Sequence, residues 1–269
     1  MIHPLGRRLL PHAVAYRISA NMVSITGLLI GTAAALCYAR FDAWPFAVLG
    51  LVLSVAWLVA DGLDGMIARA TGTASPLGRA LDGVCDHGVF ILIYVAMALA
   101  VGTAQGWALA VVAGAAHAMQ SNLYEGERAR YHRRAKGIAR LDGTAAATGP
   151  IVRAYDWLAG TPERLAMAFE RRLASSADRK GLGARYAARA VAPMRLLALQ
   201  TANVRVLAIF LACLLAEPRL FWWFEIGPLT LAAVIGLAWH RRVERHFIHS
   251  THFAPADAPS GLFVKEQGQ

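Results

Sequence analysis

Four aspartates stand close together in an otherwise apolar part of the chain, in the sequence VADGLDGMIARATGTASPLGRALDGVCDHGVF at residues 59–90. Asp61 and Asp64 are three residues apart, and Asp82 and Asp86 are four apart, so each pair shares one face of a helix. Carboxylates that converge in a partly dehydrated place repel one another unless they share protons or bind cations. Hard divalent ions prefer oxygen ligands. The pattern therefore predicts a site for Mg²⁺ or Mn²⁺.

Glycines and one arginine accompany the aspartates. Gly62, Gly65, Gly78 and Gly83 interrupt the helical pattern, and a glycine inside a helix costs about 1 kcal/mol relative to alanine. That cost suggests that something bulky must approach the backbone. Arg69 adds a planar cation suited to phosphate oxygens. Carboxylates, bare backbone and an arginine together indicate a site for a nucleotide diphosphate.

The composition indicates an integral membrane protein. Of the 269 residues, 57% are hydrophobic and only 16% are charged, and the mean hydropathy is +0.44. The net charge of +10 would suit nucleic acid or an anionic membrane surface. Because the basic residues lie between apolar runs, we expect membrane lipids and no nucleic acid as partners. The three cysteines are too scattered for a disulfide framework or a zinc site, and we expect them to be small buried side chains.

Six segments are long and apolar enough to cross a bilayer, which takes about 20 residues. Lys and Arg concentrate on one side of this map, and only Arg40 and Arg219 lie in segments on the other side. The excess marks the cytoplasmic side. We therefore predict an all-α bundle of six transmembrane helices with both termini in the cytoplasm. The predicted spans are about 21–39, 44–66, 80–102, 105–124, 196–216 and 221–240.

The remaining segments complete the predicted organisation. Residues 1–250 would form a single membrane-embedded catalytic domain, with a polar, Arg-rich cytoplasmic insertion at 133–193. The insertion is expected to contain amphipathic helices on the cytoplasmic membrane surface, with a solvated loop helix as the alternative. Residues 251–269 read as a flexible tail.

The spacing Asp61-x2-Asp64-Gly65-x2-Ala68-Arg69-x8-Gly78-x3-Asp82-x3-Asp86 resembles the signature of the CDP-alcohol phosphotransferase (phosphatidyltransferase) family at every defined position. The six-helix layout, with the motif at the cytoplasmic ends of spans two and three, also fits that family. The sequence ANMVS at 20–24 is similar to the family's Pro-Asn-x-hydrophobic-Ser/Thr opening, with Ala20 in place of the proline.

The resemblance implies roles for the motif residues. Asp61, Asp64 and Asp82 would bind two Mg²⁺ or Mn²⁺ ions, and Asp86, close to the metals, would be the general base. Metals that bridge a phosphoanhydride stabilise charge on the departing CMP, and a carboxylate in reach can accept the proton of the attacking alcohol. The nucleotide and its diphosphate would be bound by Gly65, Ala68, Arg69 and Gly78.

Polar residues at the cytoplasmic end of span four could line a pocket for the acceptor alcohol. Gln120, Tyr124 and Arg128 share one helical face. The alternative is an interfacial cap, in which the aromatic ring anchors the helix and the arginine snorkels to the interface.

Arg205 lies about ten residues inside span five. A charge at that depth should face the bundle interior and meet an anion. The anion is either a substrate phosphate or a carboxylate such as Glu225. Arg195, at the cytoplasmic end of the same span, is a further candidate for acceptor binding.

We therefore expect a multi-pass enzyme of the bacterial cytoplasmic membrane, with its active site facing the cytoplasm. It would transfer a phosphatidyl group from CDP-diacylglycerol to a small polar alcohol and release CMP, and the resemblance implies a homodimer. A phosphorylated acceptor is favoured if Arg205 and Arg195 face the cavity. In the alternative, a CDP-ethanolamine or CDP-choline type of donor passes its phosphoalcohol to a lipid alcohol. A divalent-cation transporter is a remote third alternative, which leaves Arg69 and the glycines without a role.

Overall fold

The computed structural model of the chain describes residues 3–141 and 166–249, and within these residues all regular structure is helical. The predicted all-α class is therefore confirmed for the described chain. A 3₁₀ turn, Ala198–Gln200, precedes the helix Ala202–Leu214, and a π-helical segment, Glu225–Leu229, joins Arg219–Phe224 to the last described helix. The helices are α1 His3–Ala15, α2 Ala20–Tyr38, α3 Trp44–Ala70, α4 Pro76–Val101, α5 Ala104–Ala135, α6 at 166–175, α7 Arg179–Leu197, α8 Ala202–Leu214, α9 Arg219–Phe224 and α10 Thr230–His249.

The hairpin of α3 and α4 carries all four aspartates, and local chemistry sets its turn. The N-cap Ser75 accepts a hydrogen bond from the Gly78 amide at 3.0 Å, and Pro76 occupies the first helical turn, where its missing N–H costs nothing. At the other end α4 stops at Gly102, whose φ of 66° is the left-handed conformation common at helix C-termini. The cap at Ser75 therefore fixes the residue at which α4 begins, and the helix that starts there carries Asp82 and Asp86 on one face.

Within residues 3–141 and 166–249, four helices are long and apolar enough to cross a membrane, and a bent pair makes up to five. The four are Ala20–Tyr38, Trp44–Ala70, Gly83–Val101 and Arg219–Ile248. Helix α5 forms where the fourth span was predicted, but Gln105, His117 and Gln120 lower its hydropathy. The membrane helices are thus present among the described residues, whereas the number six and the cytoplasmic termini stay predictions.

The predicted fifth span, 196–216, is not one continuous helix. Helix α7 ends at Leu197, Thr201 has extended backbone with ψ at 151°, and α8 begins at Ala202. The segments Arg179–Gln200 and Ala202–Leu214 meet at a bend of 46°. A break of this kind leaves backbone carbonyls without helical partners, and the Gln200 carbonyl accepts a hydrogen bond from Arg205 instead.

The chain divides into two compact units, of which the first comprises the N-terminal part up to Arg128 together with Pro193–Leu237. In this unit α2 packs along α3 and α4. A Cβ atom at Gly31 would lie 2.3 Å from Cγ2 of Val89, so α2 and α4 approach too closely there for any other residue. The core behind this contact is aromatic and aliphatic, and its fully buried members include Tyr38, Trp57, Ile93, Met97 and Trp222.

The second unit comprises Ala129–Ala192 and the chain from Ala238, and it is organised around Arg134. This side chain is fully buried, donates to Glu170 at 2.8 Å and to Glu244, and stacks over the ring of Phe169. Burial alone would raise the pKa of the Glu170 carboxyl, but Arg134 and the Arg140 amide stabilise its charge and lower that pKa below the ordinary value.

The predicted insertion at 133–193 falls largely in this second unit. Its described part contains α6 and most of α7. The predicted flexible tail, 251–269, and the stretch 142–165 lie outside the described residues. The single domain and the position of the insertion on the membrane surface stay predictions.

Candidate functional site

The first unit brings aspartates from α3 and α4 into contact. Asp61 on α3 lies within hydrogen-bonding reach of the Asp86 side chain on α4, and the charge of Asp64 also acts on Asp61. Two carboxyl groups can make such a bond only when they share a proton. A bound cation is the other way to hold them together. Asp82 lies one turn before Asp86 on the backbone of α4, and its side chain is outside the described part of the structure.

Asp64 presents one free oxygen in a buried place. The side chain is 4% exposed, and its Oδ2 accepts a hydrogen bond of 2.5 Å from Ser24 Oγ on α2. Among the side chains that the structure describes, its buried Oδ1 has no hydrogen-bond partner. A buried carboxylate oxygen without a partner carries a large desolvation cost. Because a divalent cation would satisfy this oxygen and also the pair of Asp61 and Asp86, the residues fit the predicted metal site.

The nucleotide-binding prediction concerns Gly65, Ala68, Arg69 and Gly78. A Cβ atom at Gly65 would lie 3.3 Å from Nη1 of Arg69, so the exposed guanidinium group lies over bare backbone next to Asp64. A Cβ atom at Gly78 would lie 3.7 Å from Oδ1 of Asn21, at the start of α2. The half-buried Ala68 lies on α3 between these features. Nucleotide binding by the four residues stays a prediction.

Two contributors were not assigned to this site from the sequence. Ser24 belongs to the ANMVS segment, whose similarity to the family opening was the one signal for it. Glu125 lies on α5, on the helical face of His117 and Ser121, and the structure brings its charge close enough to act on Asp61. Three helices besides α4 therefore surround the carboxylates, namely α2, α3 and α5.

Arg205, a predicted acceptor residue, is engaged with protein groups. It is 1% exposed, and its Nε lies 2.9 and 3.2 Å from the two carboxylate oxygens of Glu225. Its Nη2 donates to Gln120 Oε1 at 2.9 Å, and its Nη1 donates to the Gln200 carbonyl. The pairing with Glu225 is one of the two alternatives that the sequence left open. An acceptor phosphate would have to displace one of these partners.

The other acceptor candidates lie in different surroundings. Gln120 is buried and its Nε2 donates to the Glu225 carbonyl at 3.0 Å and to Thr230 Oγ1 at 2.9 Å, so it supports the same ion pair. Arg128 and Arg195 are exposed, and Tyr124 is half-buried. Acceptor binding by these residues stays a prediction.

An apolar groove runs between α4 and α5 within the first unit, and its volume is about 260 Å³. One end lies at His87, the residue after Asp86. The Nδ1–H of His87 donates to the Gly83 carbonyl at 2.8 Å. Along α5 the lining extends from Trp107 to Ala118, which corresponds to about 16 Å of helix. The groove is therefore hydrophobic along its length and close to the aspartates at one end.

Comparison with known families identifies this arrangement. Residues 17–148 match the model of the CDP-alcohol phosphatidyltransferase family, a range that contains the four aspartates, Arg69, Ser24 and Glu125. No curated protein matches the chain. The family transfers phosphoalcohol groups from CDP-alcohols in phospholipid synthesis, and together with the apolar helices it marks an integral membrane protein. Residues 17–148 therefore form a domain of the CDP-alcohol phosphatidyltransferase family.

Proposed function

We propose that the protein is a metal-dependent phosphatidyltransferase that uses CDP-diacylglycerol, passes the phosphatidyl group to a small polar alcohol and releases CMP. The observation that carries this proposal is the meeting of Asp61, Asp64 and Asp86, with one buried Asp64 oxygen that has no partner among the described side chains. The guanidinium group of Arg69 over the bare backbone of Gly65 supports it as a contact for the diphosphate.

The roles of the residues follow from the bond changes. The acceptor hydroxyl oxygen bonds to the phosphorus of the phosphatidyl group, the phosphoanhydride bond breaks, and its electron pair leaves with CMP. Asp86 accepts the proton that the hydroxyl loses. Asp61, Asp64 and Asp82, with Asp86 nearby, would hold Mg²⁺ or Mn²⁺, whose positive charge stabilises the phosphate oxygens. Arg69 binds the diphosphate.

A substrate with a hydrocarbon chain is supported by the groove between α4 and α5. Its length of about 16 Å along α5 is close to the depth of one leaflet, half of about 30 Å of hydrocarbon. Its end at His87 adjoins Asp86, so a chain in the groove would bring its polar end towards the aspartates. CDP-diacylglycerol carries chain and nucleotide in one molecule. In the alternative reaction, a CDP-linked headgroup is the donor and a lipid alcohol is the acceptor. The chain of that lipid alcohol would need the same groove.

The charges near the site favour an acceptor without a phosphate. The donors of Arg205 are engaged with Glu225, Gln120 and the Gln200 carbonyl, while Glu125 adds a negative charge beside Asp61. A neutral or amine-bearing alcohol meets less repulsion there than a phosphorylated one. The distribution of Lys and Arg supports an active site on the cytoplasmic side, and a homodimer rests on the family resemblance alone.

The test is CMP release by the purified full chain in detergent with Mg²⁺ or Mn²⁺. CDP-diacylglycerol is offered with serine, inositol, glycerol phosphate and inositol phosphate, and CDP-ethanolamine and CDP-choline are offered with diacylglycerol. Acceptor-dependent release from CDP-diacylglycerol is expected, and it should vanish in Asp86→Asn. Asp42→Asn is the matched control, because Asp42 is exposed and pairs only loosely with Arg40 at 3.5 Å.

Each other outcome has a definite meaning. Release from CDP-ethanolamine or CDP-choline alone would replace the proposal with the headgroup alternative. If no pair releases CMP and the protein does not bind CDP, the proposal that it is an enzyme is wrong. Flux of Mg²⁺ or Mn²⁺ into proteoliposomes would then point to the transporter alternative.

A further inference from the structure

Ser24 touches the candidate metal site from a helix that carries none of the aspartates. Its Oγ donates to Asp64 Oδ2 at 2.5 Å, across 40 residues of sequence, and both side chains are buried. The length lies in the range of charge-assisted O–H···O⁻ bonds, which are about twice as strong as neutral ones. This is therefore a specific contact between α2 and α3 at the functional carboxylate.

The hydroxyl group has only one hydrogen to give. Besides Asp64, the acceptor in reach is the Ala20 carbonyl, 3.2 Å from Oγ. Hydroxyls in helices often bond to the carbonyl four residues earlier, and Thr26 does so to Met22 at 2.8 Å. In Ser24 the shorter contact goes to the carboxylate, so the hydrogen is directed away from the helix's own backbone and towards Asp64.

The bond determines which oxygen of Asp64 is available. Oδ2 is occupied by Ser24, and the buried Oδ1 has no partner within the described part of the chain. A donor on one carboxylate oxygen restrains rotation of the group and holds the second oxygen in a fixed direction. Outer hydrogen bonds of this kind orient metal ligands, and their loss typically weakens metal binding by about 10- to 100-fold.

Packing of α2 on its neighbours does not depend on this hydroxyl. A Cβ atom at Gly27 would lie 3.5 Å from both Ala60 and Trp57, and Gly31 lies against Val89. These contacts and the buried Val23 hold α2 against α3 and α4. A serine bonded to a carboxylate is consequently better explained by the function of that carboxylate than by helix packing.

We infer that Ser24 is a positioning residue, which holds Asp64 so that its second oxygen faces the divalent cation. The inference rests on the metal site of the proposed function. It extends the site to α2 and to a residue that does not itself bind the metal.

The test measures binding of Mn²⁺ to the purified full chain in the absence of substrate. The electron paramagnetic resonance signal of free Mn²⁺ reports how much metal stays unbound. Ser24→Ala should raise the dissociation constant for Mn²⁺ about 10- to 100-fold, and Ser24→Thr should restore it. Ser24→Cys, which keeps the volume but donates weakly, should resemble Ser24→Ala and serves if the alanine variant does not fold. Ser54→Ala is the matched control, because Ser54 is a fully buried serine whose hydroxyl meets Tyr38 at 3.2 Å.

The outcomes separate this inference from the proposed function. Wild-type affinity in Ser24→Ala and Ser24→Cys, with Mn²⁺ binding lost in Asp64→Asn, would overturn the role of Ser24 alone. An equal loss of affinity in Ser54→Ala would also overturn it, because the effect would then be general. Absence of Mn²⁺ binding to the wild type would overturn both proposals.

Discussion

Replacing Arg205 by methionine should destabilise the protein strongly, because Arg205 lies in a buried network and not in an open pocket. The change leaves the Glu225 carboxylate, which is 0% exposed, without its ion pair, and removes the donors to Gln120 and the Gln200 carbonyl. Breaking a buried pair in this way costs about 3 to 5 kcal/mol. At about 2 to 4 °C per kcal/mol for a chain of this size, the midpoint of thermal unfolding should fall by roughly 6 to 20 °C.

The assay is thermal unfolding of the purified protein in detergent, followed by intrinsic fluorescence. The double variant Arg205→Met/Glu225→Leu should recover much of the loss, because it removes the unpaired charge. Arg219→Met is the control, since Arg219 forms an exposed pair with Glu217 at 3.7 Å and such pairs contribute little. If Arg205→Met keeps its stability and only raises the KM for a phosphorylated acceptor, the structural role of Arg205 is refuted. Arg205 would then again be a candidate for acceptor binding.

Three further predictions concern the groove, the second unit and the diphosphate. Gly114 lines the groove and faces open space, so a phenylalanine at this position would occupy part of the groove. Gly114→Phe should displace about three methylenes of the substrate chain at about 0.8 kcal/mol each, which lowers kcat/KM for long-chain CDP-diacylglycerol roughly 50-fold. Gly114→Phe should show no such loss with short-chain analogues, and neither should the control Val112→Phe, which lies on an exposed part of the same helix. An equal loss in either control would exclude the groove as the binding site of the chain. The lowered pKa of Glu170 means that its stabilising effect is complete above its ordinary value of 4.5 and is lost as the pH falls through the lower folded value. Unfolding midpoints measured from pH 7 to pH 3 should therefore fall less in Glu170→Gln than in the wild type, and parallel curves would contradict a stabilising charge on Glu170. Arg69→Lys should weaken CDP binding, measured by calorimetry, about tenfold because a lysine lacks the planar pair of donors, and unchanged affinity would remove Arg69 from the site.

The helices that carry the aspartates could be predicted closely from the sequence. Apolar runs of bilayer length located α2, α3 and most of α4, although α4 begins at Pro76, four residues before the predicted span. For Arg205 the sequence predicted an anionic partner but left a substrate phosphate and Glu225 as alternatives, and the structure shows the pair with Glu225.

Other features depend on how the helices are rotated against one another, and hydrophobic periodicity does not encode that. The contact of Ser24 with Asp64 and the proximity of Glu125 to Asp61 each join residues of different helices. Helix α1 as a separate element and the break at Thr201 were also missed. At Thr201 the apolar composition continues across the boundary and only the local backbone conformation changes.

The ion pair of Arg205 and Glu225 bears on how the chain enters the bilayer during synthesis. The two residues stand on α8 and at the end of α9, and only the short segment from Leu215 to Pro218 separates these helices. A charge that enters the bilayer without a counter-ion is costly. If the two helices leave the translocon as a hairpin, each charge enters already neutralised by the other. The order of synthesis and the position of the pair thus favour joint insertion of α8 and α9, with Gln120 of the earlier α5 completing the network afterwards.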